Sequence, residues 1–145
     1  MRDRGSASVE VAILLPAFIM LMVVASFVGR VTIAQNAVDL AAHDAARAAS
    51  IEREGDRAAA AARDAANDTL DELDVLCLNR TITPDVADAF GNDDFGPQAG
   101  PPPVVTVTVE CTLDFTGFPF LDLTTTNVSA RYTSPLDWYR GRSLG

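Results

Sequence analysis

The chain has 145 residues, 11 arginines and no lysine, 20 acids and a formal charge of −9. Residues 1–29 hold Arg2, Arg4, Asp3 and Glu10 and are neutral, so the whole excess of acid falls on residues 30–145. The length allows one domain with a real core, the acidity disfavours nucleic acid as a partner, and one histidine with two cysteines excludes most triads and zinc sites.

The first element is apolar. Residues 11–28 read VAILLPAFIMLMVVASFV, without a charge and with Ser26 as the sole polar side chain. At helical rise this run spans about 27 Å, close to the hydrocarbon thickness of a bilayer. Two readings compete: a transmembrane helix that stays, or a secretory signal cut after Ala25. The run is long for a signal core. Arg2 and Arg4 precede it, which puts the N-terminus in the cytoplasm and everything after Arg30 outside. Pro16 removes one helical hydrogen bond, which membrane helices tolerate when neighbours compensate.

Glu10 stands at the edge of this run. A carboxylate drawn to the bilayer centre costs about 2–3 kcal/mol. Either Glu10 rests in the interface, where the cost is small, or it meets a positive partner.

The run Arg4-Gly5-Ser6-Ala7-Ser8-Val9-Glu10, continued by Val11-Ala12-Ile13-Leu14-Leu15-Pro16, resembles a prepilin-type leader. The fuller stretch, through Ala34-Gln35 and Ala42-His43-Asp44-Ala45-Ala46-Arg47-Ala48-Ala49, is similar to the TadE-like family of pilin-like proteins, or pseudopilins, of the tight-adherence pilus and secretion system. The resemblance is specific over residues 4–49 and generic beyond. It implies cutting by a membrane prepilin peptidase after Gly5, which makes Ser6 the new N-terminus. It also implies that Glu10 pairs with the N-terminal amine of a neighbouring subunit, since an acid in apolar surroundings is tolerable only when paired. The implied partners are the peptidase, other pilin-like subunits, the inner-membrane assembly platform and the membrane. The acidic domain departs from the very short major pilins of such systems and favours a minor role.

After Gly29 the helical pattern continues. Ala34, Val38, Ala41, Ala45 and Ala48 form one narrow apolar stripe, and Ala59, Ala62, Ala66, Leu70 and Leu73 form a second. Glu54-Gly55-Asp56 separates them, with Asp56 as a candidate cap. Either one helix runs from Ser6 to Leu73 or the chain breaks at Gly55. An alanine stripe packs closely but buries little area. It is expected to face the domain rather than another subunit. His43 falls on the polar face and is expected to be solvated.

Three strands follow. Asp74 to Ile82 reads as the first. Val104 to Leu113 alternates valines, Cys111 and Leu113 with threonines and Glu110, and Thr124 to Thr133 alternates again. Thr116-Gly117-Phe118-Pro119 is a turn-rich connection. Cys77 and Cys111 fall in the first and second strands. Outside the cytoplasm they are expected to form a disulfide, with two buried thiols as the rival. Their spacing is not that of a redox pair.

Residues 84–103 read as a long loop. Asp85, Asp88, Asn92, Asp93 and Asp94 offer oxygen ligands without EF-hand spacing, so solvated acids are expected. Phe118, Phe120 and Leu121 are expected to fill the core rather than form a patch. Trp138 and Tyr139 would touch a membrane surface or close the sheet. No phosphate loop, nucleophile elbow or carboxylate pair is present.

The expected fold is α+β: a long transmembrane-plus-extended helix packed on a three-stranded antiparallel sheet. The expected organisation is a leader over 1–5, a transmembrane helix over 6–29, a soluble helical region over 30–73 and a sheet domain over 74–145. The expected role is structural, without enzymatic activity, cofactor or metal, in a single-pass protein of the cytoplasmic membrane. The alternatives are an uncut membrane-anchored binding domain and a secreted protein.

Overall fold

One helix, α1 (Ser6–Ile51), carries the chain out of the apolar run and into the rest of the molecule. A computed structural model describes residues 6–91, 102–116 and 125–136. α1 passes through Pro16 and Gly29 without interruption, so the boundary at Gly29 is one of composition and not of structure. The hydroxyls of Ser26 and Thr32 donate to the carbonyls of Met22 and Val28, both at 2.9 Å. These polar side chains are thus satisfied within the helix that carries them.

The helix breaks at 52–54, just before Gly55, and α2 (Gly55–Glu72) turns back along α1. Glu54 is the N-cap, so Asp56 is not; Asp56 lies in the first turn, where an acid suits the positive helix end. Arg57 Nε meets Glu54 Oε2 at 2.9 Å across this turn. At the far end, Asp74 N–H donates to the Asp71 carbonyl and Val75 N–H to the Leu70 carbonyl, both at 3.1 Å. With Asp74 at φ 54 this is a Schellman stop in which aspartate occupies the left-handed position that glycine usually takes. Val75 and Leu70, both buried, supply its apolar contact.

That stop corrects the start of the first strand. Residues 74–76 are a connector, and β1 runs Cys77–Asp85. The loop expected from residue 84 starts later, because β1 is an edge strand, where proline is tolerated, and Pro84 remains paired with Val107. A short helix, α3 (Ala87–Phe90), follows and buries Ala89 and Phe90. β2 (Val104–Asp114) and β3 (Thr125–Pro135) complete an antiparallel sheet in the order β1-β2-β3. The fold is α+β as expected. α1 lies over β2 and β3, and α2 reaches β1.

The core is built from small side chains on the helices and branched ones on the sheet. Ala34, Ala37, Val38, Ala41, Ala42, Ala45, Ala46 and Ala49 are all at most 4% exposed. At about 100° per residue they cover half the circumference of α1. This face is wider than the single stripe expected, because α1 is covered twice. Asp44 Oδ2 accepts from Thr69 of α2 at 3.3 Å, while Gln35 Nε2 donates to the Ser129 carbonyl of β3 at 3.0 Å. On α2 the buried row is Ala58, Ala62, Ala66 and Leu70; Ala59 is half-buried and Leu73 is exposed. Val105, Val107, Val109, Cys111 and Leu113 form the inner row of β2.

Such closeness leaves little room. Replacing Ala62 with Leu is expected to lower stability by about 1–3 kcal/mol or more through overpacking. Replacing exposed Ala60 with Leu serves as the control and should change stability little. Chemical unfolding of both variants checks this.

Candidate functional site

Ser6 opens α1, and Gly5 lies outside the described residues. Glu10 is about one turn into the helix and exposed. The next charge along α1 is Arg30. Twenty residues of helix separate them, about 30 Å, the thickness of a hydrocarbon core. The most apolar stretch of this helix has no buried residue. Fully covering a Leu, Ile, Phe or Met side chain is worth about 1.5–3 kcal/mol each. A bare face of this size therefore requires lipid or another helix. By length and composition, α1 can cross a membrane once.

The head meets this helix before the apolar run ends. The Phe27 ring stacks at a tilt of 55° on Phe115, with centroids 4.7 Å apart. Further along α1, Gln35 reaches Ser129, and His43 sets its ring against Tyr132 at 4.6 Å. α1 thus runs along the strands, and the C-terminal end of β2 marks the base of the head. His43 is half-buried there, with Nδ1 3.2 Å from Asp44 Oδ1, rather than simply solvated.

A cleft of about 540 Å³ opens at the base. Its walls are Arg30, Ile33 and Ala34 of α1, residues 73–78 of the connector and β1, and Leu113, Asp114 and Phe115. Asp114 Oδ1 accepts the Thr116 N–H at 2.8 Å. Hydrogen bonding from the Thr116 backbone, and then from its side chain, holds the carboxyl below its ordinary pKa. Arg80 clamps the same region from β1: Nη1 donates to Asp71 Oδ1 at 2.6 Å and Nη2 to the Val75 carbonyl at 3.2 Å.

Cys77 and Cys111 form the disulfide, with Cα atoms 5.4 Å apart. They are not register partners: Cys77 lies opposite Leu113, and Cys111 opposite Arg80. An irregularity between Cys77 and Asn79 makes the bond possible. Simple alternation from Ile82 and Arg80 would turn Leu78 inward. The extra residue turns Leu78 out and Cys77 in, beside Cys111.

Among the described residues no group of three or more His, Cys, Asp or Glu could hold a metal. Asp85 and Asp88 are exposed. Asn92, Asp93, Asp94, Phe118, Phe120, Leu121, Trp138 and Tyr139 lie outside the described residues. The contact of Phe27 with Phe115, the cleft and the Arg80 clamp were not foreseen in the sequence. Leu76 and Leu78, two leucines flanking Cys77 on an acidic chain, were the available hint.

With this geometry in place, the sequence model of the family described as TadE-like protein matches residues 5–47. Over that stretch, under a third of its length, the chain is similar to the TadE-like family. The match begins at Gly5, takes in Glu10 and the whole apolar run, and ends within the alanine-rich face of α1. No curated protein and no solved structure matches the chain.

The disulfide closes a separation of 34 residues. Replacing both cysteines with serine is expected to cost about 4 kcal/mol and to lower the melting midpoint on the order of 15 °C. A melt of the full chain in detergent reads this, and an unchanged midpoint contradicts it. Because the Asp114 pKa is depressed on folding, its contribution is present above the ordinary value near 4 and is lost as pH falls through the folded value. D114N should therefore weaken the acid-side loss of stability in a pH series.

Proposed function

We propose that the chain is a minor pilin-like subunit, a pseudopilin, of a tight-adherence pilus assembly or secretion apparatus. A prepilin peptidase cuts it after Gly5, and Ser6 carries the new α-amine. Glu10 sits one helical turn away. The family-model match over residues 5–47, joined to a helix that begins at Ser6, carries this reading.

The chemistry of assembly follows from the cost of an acid beside hydrocarbon. An isolated carboxylate there is unfavourable, and one paired with an ammonium is tolerated. Glu10 meets the α-amine of a neighbouring subunit only in the correct stagger, so the pair fixes register. The apolar face of residues 11–28 supplies the remaining contact between subunits or with lipid. The protein waits in the cytoplasmic membrane with its N-terminus inside and its head outside. Its partners are the peptidase, other pilin-like subunits and the inner-membrane platform. The role is structural and uses no cofactor.

Intact mass of the protein from its native host tests the processing step. A mature start at Ser6 is expected, and G5A should leave the precursor uncut. A start at Met1 would support an uncut membrane-anchored binding domain. A start at Ser26 would support a secreted protein. Unchanged processing of G5A contradicts the peptidase step.

A further inference from the structure

The head presents an apolar rim at its base. Ile33 is 66% exposed, Leu76 84%, Leu78 61% and Leu73 44%, and all four line the same cleft. Other large apolar side chains exposed on the head, such as Leu40 and Ile51, lie elsewhere along α1. The rim stands out on a chain segment that carries all of the net charge of −9. A cluster of this kind marks a binding surface.

The geometry points to the outer bilayer interface as the occupant: the base of the head lies on the membrane, with Leu76 and Leu78 inserted among lipid headgroups. This rests on the reading of residues 11–28 as a membrane span. The level of the bilayer then follows from α1 itself. Glu10 and Arg30 bracket one hydrocarbon thickness, about 30 Å of helix. Phe27 lies three residues before Arg30, about 4.5 Å deeper along the axis. Phe115 of the head touches Phe27 at that depth. The head therefore begins at or just below the hydrocarbon boundary, and the cleft beside Phe115 lies in the headgroup layer. Arg30 forms one wall of that cleft, which places its guanidinium at the level of lipid phosphate.

Charge favours a neutral surface. Among the described residues, Asp74 and Asp114 share the cleft with Arg30, so its lining has no cationic excess to attract acidic lipid. Docking is carried by apolar insertion, and it should occur on phosphatidylcholine alone. A head held in this way cannot swing freely about the membrane. Its disulfide and the Arg80 clamp keep the rim in shape, because Cys77 lies between Leu76 and Leu78 and Arg80 binds the Val75 carbonyl.

The test places single tryptophans in the full chain, in a W138F background, reconstituted in phosphatidylcholine vesicles. L76W is the probe, F18W reports the span and L40W reports the upper head. Lipids brominated near the headgroup and near the chain end are the quenchers. The expected result is loss of L76W emission with the headgroup-proximal bromine, greater than with the deep one, while F18W is quenched and L40W is not. Quenched F18W with unquenched L76W overturns the docking and leaves the span intact. Unquenched F18W overturns the span reading itself. L76W that is blue-shifted yet unquenched overturns lipid as the occupant and assigns the rim to a second copy of the chain.

Discussion

The structure depends on the double burial of α1 between residues 34 and 49. One side of this segment faces α2, and another faces β2 and β3. A helix covered on two sides must have small side chains on half its surface, and the run of alanines meets that need. Each methyl contributes little alone. The gain comes from close approach of three layers, and Leu70 with the valines of β2 supplies the larger volumes. Everything else in the head is arranged around this helix: the Schellman stop returns the chain to the sheet, and the disulfide and Arg80 hold β1 in place.

The sequence made the periodic elements legible. Alternating valines and threonines reported β2, and the uncharged run of residues 11–28 reported the exposed part of α1. The cysteines were expected to pair because both fell in strands placed outside the cytoplasm, where disulfides persist. Less visible were features decided by a single residue. Nothing in the pattern near Asp74 marks a left-handed position, since that position usually calls for glycine. The bulge at Leu78 is equally silent, yet it turns Cys77 toward Cys111. The second covered side of α1 was hidden because alanine is ambiguous: it reads as helix former and as core alike. The roles proposed for Gly5, Ser6 and Glu10 rest on resemblance alone, whereas the cleft and its leucine rim needed the fold.

The same helix joins two environments. Its apolar run presents side chains none of which is buried, with Phe27 alone stacked on Phe115 of the head among the ring contacts described, and its second half is the centre of the head. Phe27 and Phe115 tie the end of the apolar run to the sheet. Because α1 crosses Gly29 unbroken, a force or rotation applied to the span is carried directly into the head. In the proposed membrane setting, a chain built in this way would hold its head in a fixed attitude to the bilayer.

The continuity of α1 across the junction is therefore the central claim. Hydrogen–deuterium exchange of the full chain in lipid vesicles, followed at the amides of residues 28–34, tests it most directly. The account predicts slow exchange there, continuous with the protected amides of residues 35–49. Rapid exchange at 30–34, between a protected span and a protected head, would show a hinge and contradict it.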